Sequence, residues 1–187
     1  MSQNAGPLLR REFQQADESI SQETAAITAE TVLKALAQGS LQAAGCHIML
    51  HGNLGAGKTT WVRAFLRACG ITGRIKSPSF SIVESYDTTI GGHVVPIHHL
   101  DFYRQSSPET WQAGGLRDLM AEPAILLIEW PERARGLPSA DIDVWIDWAA
   151  EVTGEAPRRI TIAFYQRANG ISLAPQLSAW TERVARF

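Results

Sequence analysis

Residues Gly52-Asn53-Leu54-Gly55-Ala56-Gly57-Lys58-Thr59 satisfy every fixed position of G-x-x-x-x-G-K-S/T, and no other stretch of this chain restricts its fold as tightly. The motif needs a strand before it and a helix after it. Cys46 to His51 is a short apolar run that ends at Gly52, which reads as a buried strand. After Gly57, residues Val62, Phe65, Leu66 and Cys69 fall on one helical face before Gly70 closes the segment. The glycines let the backbone curl so that successive N–H groups point inward, and the helix that follows adds its positive N-terminal end. Such a cradle suits a di- or triphosphate. Asn53, Leu54, Gly55, Ala56 and Gly57 would supply backbone, Lys58 would reach the β and γ phosphates, and Thr60 would add an α-phosphate contact. The Thr59 hydroxyl would complete the coordination of a magnesium ion.

A metal at such a loop needs a further acid, expected at the end of a neighbouring buried strand. Glu129 closes the run Ile125-Leu126-Leu127-Ile128, and Asp101 ends the run Val94 to Leu100. Either can serve. The resulting fold class is α/β: a P-loop NTPase with a mainly parallel central sheet, flanking helices and an antiparallel pair at the C-terminal edge, formed by Asp141–Trp148 and Arg159–Tyr165. A first helix runs from Ser21 to Gly39. Phe80–Tyr86 and Val94–Leu100 are two neighbouring strands of open direction around Gly91 and Gly92. Ser107-Pro108-Glu109 starts a helix that Gly114 and Gly115 weaken.

With 187 residues, 45% of them hydrophobic and 19% charged, the chain can bury one α/β core, expected over residues 21–187 behind a flexible leader at 1–20. A formal charge of −2 gives no basic footprint for direct nucleic-acid binding. Cys46 and Cys69 form neither a disulfide framework nor a zinc ligand set, which fits a reducing cytoplasm. Arg10 and Arg11 are not followed by an apolar core, so no secretion signal is read there, and the run Ala124 to Ile128 is too short for a membrane span. His98 and His99 are adjacent on a strand and face opposite sides, which excludes a local metal pair. Trp111, Trp145, Trp148 and Trp180 read as packing or surface aromatics, because no basic residues interleave with them.

Four segments together, GNLGAGKTT at Gly52 to Thr60, KSPSFSIVESY at Lys76 to Tyr86, HLDFYR at His99 to Arg104 and IEWPER at Ile128 to Arg133, resemble the bacterial TsaE (YjeE) family. That family is the ATPase component of the tRNA threonylcarbamoyladenosine biosynthesis machinery. The resemblance runs from about Ser21 to Tyr165 in matching order. Ser79 and Phe80 depart from the commoner Thr and Tyr. The resemblance implies that Thr59 and Glu129 bind Mg2+, with Asp101 a catalytic or metal-water residue. It also implies that Ser77 to Phe80 form a switch-like loop near the γ-phosphate, with Trp130 close to the nucleotide. Glu23 or Thr24 would lie beside adenine, together with Arg158 or Arg159. His99 would orient Asp101 or its loop, and Arg104 would support that loop or sense the γ-phosphate.

The function implied is hydrolysis of ATP in support of threonylcarbamoyl transfer to the adenosine beside the anticodon of ANN-decoding tRNAs, without performing that transfer. Partners would be TsaB-like and TsaD-like proteins, with tRNA reached through their complex. A small-molecule P-loop kinase is the rival, although the chain returns to strands soon after Glu129 and leaves little room for an arginine-rich lid. A nucleotide switch that uses hydrolysis as a timer fits the same motifs.

Overall fold

The computed structural model describes residues 6–39, 45–78, 81–105, 107–112, 115–149, 157–168 and 170–187. Seven strands form one sheet: β1 (Leu9–Ala16), β2 (Cys46–His51), β3 (Val83–Ile90), β4 (His93–Asp101), β5 (Ile125–Glu129), β6 (Ile142–Trp148) and β7 (Arg158–Phe164). The helices are α1 (Glu18–Gln38), α2 (Lys58–Ala68), α3 (Leu116–Leu119) and α4 (Leu177–Val184). Strand order is β1-β7-β6-β2-β5-β4-β3. The pairs β2–β5, β2–β6 and β4–β5 are parallel, whereas β1–β7, β3–β4 and β6–β7 are antiparallel. The sheet is therefore mixed, not mainly parallel. One cause is local: Gly91 and Gly92 both adopt positive φ, 55° and 84°, which makes the two-residue turn that returns β4 against β3 without a crossover.

The expected flexible leader also gives way to structure, because β1 pairs with β7 from Leu9↔Phe164 to Ala16↔Arg158. Its signal in the sequence is weak, since Phe13 is the one large buried side chain among its described side chains and the surroundings of that ring come from the far end of the chain. The Phe13 ring packs edge-on to Trp180 and Phe187, each at 6.3 Å between centroids. The same strand displaces β6–β7 from the sheet edge. After β1, Asp17 caps α1 by accepting from the Ile20 N–H at 2.8 Å, so the helix begins three residues before the expected Ser21. In place of the helix expected from Ser107, a 3-10 turn at Thr110–Gln112 precedes the four-residue α3, whose N-cap Gly115 has φ 83°.

Two apolar layers hold the sheet. On one face, Ile48, Leu50, Ile125, Leu127, Val144 and Ile146 pack beneath α1, α2 and α4, with Trp61, Phe65 and Trp180 fully enclosed. Trp180 also donates to Thr28 Oγ1 at 3.2 Å, so the largest ring of α4 is both buried and satisfied. On the other face, Leu126, Ile128, Leu100 and Phe102 meet Trp111, Leu116 and Met120. Every residue of β5 is buried, Glu129 included. Among the described residues no helix is long and apolar enough to cross a membrane.

Candidate functional site

Three strand ends and one helix start converge where the chemistry-bearing residues lie. β2 runs into the glycine loop and α2 begins at Lys58, the loop's seventh residue. Gly52, Gly55 and Gly57 take φ of 133°, 78° and 113°, a left-handed sequence that L side chains rarely adopt. Asn53, Leu54 and Gly55 are exposed, whereas Ala56 is buried beneath them. Arg158 of β7 supports the loop: its Nε donates to the Ala56 carbonyl at 2.7 Å, and its guanidinium lies 5.0 Å from the Trp148 ring.

The glycines separate into two kinds that substitution can tell apart. A Cβ at Gly52 would meet the Ile146 carbonyl oxygen at 2.1 Å, whereas one at Gly55 would meet nothing. Gly52→Ala should therefore lower unfolding stability by at least about 3 kcal/mol, strain and overlap together, and Gly55→Ala by only about 1 kcal/mol. Denaturant unfolding of the two variants checks this, and equal losses would contradict the loop geometry.

A cavity of about 660 Å³ opens over the loop, lined among others by Lys58, Thr59, Thr60, Asp101, Glu129 and Trp130. Lys58 is 4% exposed, and its Nζ donates to the carbonyls of Gly52 at 2.6 Å and Asn53 at 3.0 Å. The same ammonium lies 3.9 Å from the centre of the Trp130 ring. Burial pulls the Lys58 ammonium below the usual lysine range, and the nearby carboxylates of Glu129, Glu132, Asp101 and Asp147 oppose that pull. Thr59 Oγ1 donates to the Glu129 carboxylate, 2.9 Å from Oε1 and 3.1 Å from Oε2. Glu129 Oε1 is also 2.8 Å from His99 Nε2.

Asp101 stands directly opposite Glu129 in the β4–β5 register. Its Oδ1 accepts from the Tyr103 N–H at 2.9 Å. Burial pushes its carboxyl above the usual aspartate range. The Tyr103 hydrogen bond works against that shift, and the charge on Glu129 adds to it. Trp130 follows with φ 58°, the one described non-glycine residue at positive φ, and its ring meets Tyr103 at 4.9 Å. Arg133 closes this group by donating to the Tyr103 carbonyl at 2.9 Å while lying over both rings.

The residues singled out from sequence thus fall into two sets. The structure brings together Lys58, Thr59, Thr60, Asp101, Glu129 and Trp130, with Ser77, Pro78 and Arg104 on the same cavity wall. Glu23 and Thr24 do not join them. Thr24 is fully buried and donates to the Ser21 carbonyl at 2.9 Å, so it presents nothing to a ligand. Glu23 pairs with Arg186 at 2.8 Å and shares with Thr60 a separate groove of about 840 Å³ between α1 and α2. Ser79 and Phe80 lie outside the described residues.

Two features escaped the sequence. His99 meets Glu129, not Asp101. Gln105 lines the cavity with both amide atoms enclosed and without a hydrogen bond among the described residues, which no motif signals.

Hard oxygen donors at Thr59 and Glu129, already converged beside the start of α2, have the chemistry a magnesium ion requires. Positive-φ glycines and a lysine at the head of a helix likewise fit a polyphosphate.

Sheet and loop define the class: an α/β protein with a mixed seven-stranded sheet that carries the full G-x-x-x-x-G-K-S/T pattern between a central strand and a helix. The fold is similar to the crystal structure of Bacillus subtilis YdiB, with a TM-score of 0.61, 95% of each chain covered and 23% identity. The family model for threonylcarbamoyl adenosine biosynthesis protein TsaE matches residues 19–160, and the chain belongs to that family. Relatives named tRNA threonylcarbamoyladenosine biosynthesis protein TsaE include that of Haemophilus influenzae, 45% identical over 54% of this chain and 62% of its own length. That of Nostoc is 36% identical over 63% of this chain and 72% of its own length. That of Treponema pallidum is 30% identical over 67% of this chain and 87% of its own length. The chain thus spans less than two thirds of the Haemophilus influenzae protein.

Proposed function

We propose that this chain is a magnesium-dependent P-loop ATPase that supports threonylcarbamoyl modification of tRNA. The observation that carries the reading is the convergence of Lys58, Thr59 and Glu129 on one cavity at the mouth of the glycine loop. In this reading the loop N–H groups and Lys58 hold the phosphates, while Thr59 and Glu129 hold the metal. When bound, the magnesium ion neutralises charge on the β and γ phosphates. The chain's own part is positioning. Lys58 exchanges the carbonyls of Gly52 and Asn53 for phosphate oxygens, and Asp101, held by the Tyr103 N–H, faces the cavity as the acid that orients the attacking water.

The names of the relatives support a place in tRNA threonylcarbamoyladenosine biosynthesis. Partners of the TsaB and TsaD types would join it there, with tRNA reached through them. A basic footprint for direct tRNA binding is missing from a chain of formal charge −2. None of the arginines is hydrogen-bonded into the phosphate loop from the cavity side among the described residues, so a charge that completes the site can come from a partner.

The test is steady-state phosphate release from ATP by the chain alone and with TsaB-like and TsaD-like proteins and tRNA. The expected result is slow turnover that requires magnesium and changes at least about tenfold with the partners, a small share of the roughly 10³- to 10⁵-fold that a charge supplied in trans can contribute. Transfer of the phosphoryl group to a small acceptor in place of water would establish the kinase instead.

A further inference from the structure

The β4–β5 register sets His99 opposite Leu127, which puts Glu129 two residues further along the same face. That diagonal spacing lets His99 Nε2 reach Glu129 Oε1 at 2.8 Å. His99 is fully buried, and its other ring nitrogen, Nδ1, has no hydrogen-bond partner among the described residues. Glu129 is thus the one polar group among the described residues that the His99 ring engages. Acceptance by a carboxylate oxygen requires the ring proton on Nε2, so His99 donates and Oε1 accepts. His99 does not line the cavity.

We propose that His99 is a positioning residue that holds Oε1 of Glu129 and so keeps Oε2 turned to the magnesium ion of the bound nucleotide. The proposal rests on the reading of Glu129 as the metal's carboxylate. A glutamate reaches a metal through three rotatable bonds, and a carboxylate with no second anchor spreads over several rotamers. Thr59 Oγ1 lies at nearly equal distance from both oxygens, 2.9 Å and 3.1 Å, so it does not choose between them. His99 does, because it touches only one. Ligands fixed by such outer hydrogen bonds bind metal more tightly than unsupported ones. This separates His99 from a histidine that merely fills the core, which would support the fold and leave metal affinity alone.

The experiment uses the full chain with manganese(II) as the probe, its binding followed by electron paramagnetic resonance in the presence of a non-hydrolysable ATP analogue. Affinity for the same analogue in EDTA is measured in parallel. His99→Met, which removes the donor, should weaken manganese binding by about 10- to 100-fold. Metal-free nucleotide affinity should stay within about twofold, since the phosphate cradle is intact. His99→Gln, whose amide nitrogen can stand where Nε2 stood, should restore manganese affinity to within about threefold of the original. In a Glu129→Gln background, His99→Met should have no further effect on the metal.

Manganese affinity in His99→Met equal to that of the unaltered chain, with Glu129→Gln still weakening it, would overturn the role of His99 alone. Unchanged affinity in Glu129→Gln itself would overturn the reading of Glu129, and the role of His99 with it. Should His99→Met fail to fold, His99→Gln against His99→Asn decides: the asparagine amide is too short to reach Oε1, so equal manganese affinity in those two variants would count against the proposal.

Discussion

Lys58→Ala should lose ATP turnover by about a hundred- to a thousandfold, the loss usual when one preorganised charge-stabilising donor is removed. The lysine is already at the mouth of the cavity, where the residue is 4% exposed and its ammonium spans the carbonyls of Gly52 and Asn53. Arrival of a phosphate replaces two neutral acceptors by charged ones, and the gain grows as the charge on the transferring group spreads. Nucleotide affinity should fall by a smaller factor than turnover, because the loop N–H groups remain.

The same contacts bear on the empty protein. Losing two hydrogen bonds and the stack on Trp130 should lower stability by about 1 to 2 kcal/mol, a few degrees of melting temperature for a chain of this size. Lys58→Met, which keeps an apolar chain of similar length in that buried place, should recover part of that stability and none of the turnover. Turnover in Lys58→Ala within tenfold of the original would remove the phosphate reading of the loop.

How far the sequence revealed this arrangement depended on the range of each signal. The glycine loop was legible because its determinants are local: the left-handed glycines and the lysine lie within eight residues of each other, and apolar β2 and amphipathic α2 bracket them. Glu129 was legible as a strand end, since β5 is an unbroken apolar run until its carboxylate. Strand β1 was not, because Phe13 carries its burial and the partner rings Trp180 and Phe187 lie over 160 residues away in the sequence. Direction in the sheet was legible only in part. Alternation at β6 and β7 marked a pair with polar positions between apolar ones, but nothing local said that a further strand would cover β7.

The contact between His99 and Glu129 had no local sign at all. It depends on the parallel register that places Ile97 opposite Ile125, and one residue of slip would send His99 to the face of Leu126 and Ile128. On the first helix it is helical phase that divides the two residues the resemblance places beside a base: Thr24 turns into the core, while Glu23 faces outward and pairs with Arg186.

Glu129→Gln and Asp101→Asn should separate the two acids by which quantity each variant changes. Glu129 is 2% exposed and held by Thr59 and His99, so its carboxylate has one fixed direction and its charge is the natural counterpart of a cation beside Thr59. Replacing that charge by an amide should raise the magnesium concentration for half-maximal rate at least about tenfold. Asp101 differs in setting. It is half-buried, and its carboxyl is pushed up by burial first, with a further rise from the charge of Glu129 directly across the strand pair. An acid that ionises less readily than usual makes a weak metal ligand and a good proton acceptor for water. Asp101→Asn should therefore lower kcat by about a hundredfold or more while nucleotide affinity and the magnesium midpoint stay close to their original values. The asparagine can still accept from the Tyr103 N–H through its carbonyl oxygen, so the turn at Asp101 should persist and the loss should not come from misfolding. Magnesium titrations of steady-state phosphate release for both variants decide between the roles. A strong shift of the midpoint in Asp101→Asn with none in Glu129→Gln would exchange them, and make the hydrogen bond between Thr59 and Glu129 a structural clamp at the head of α2.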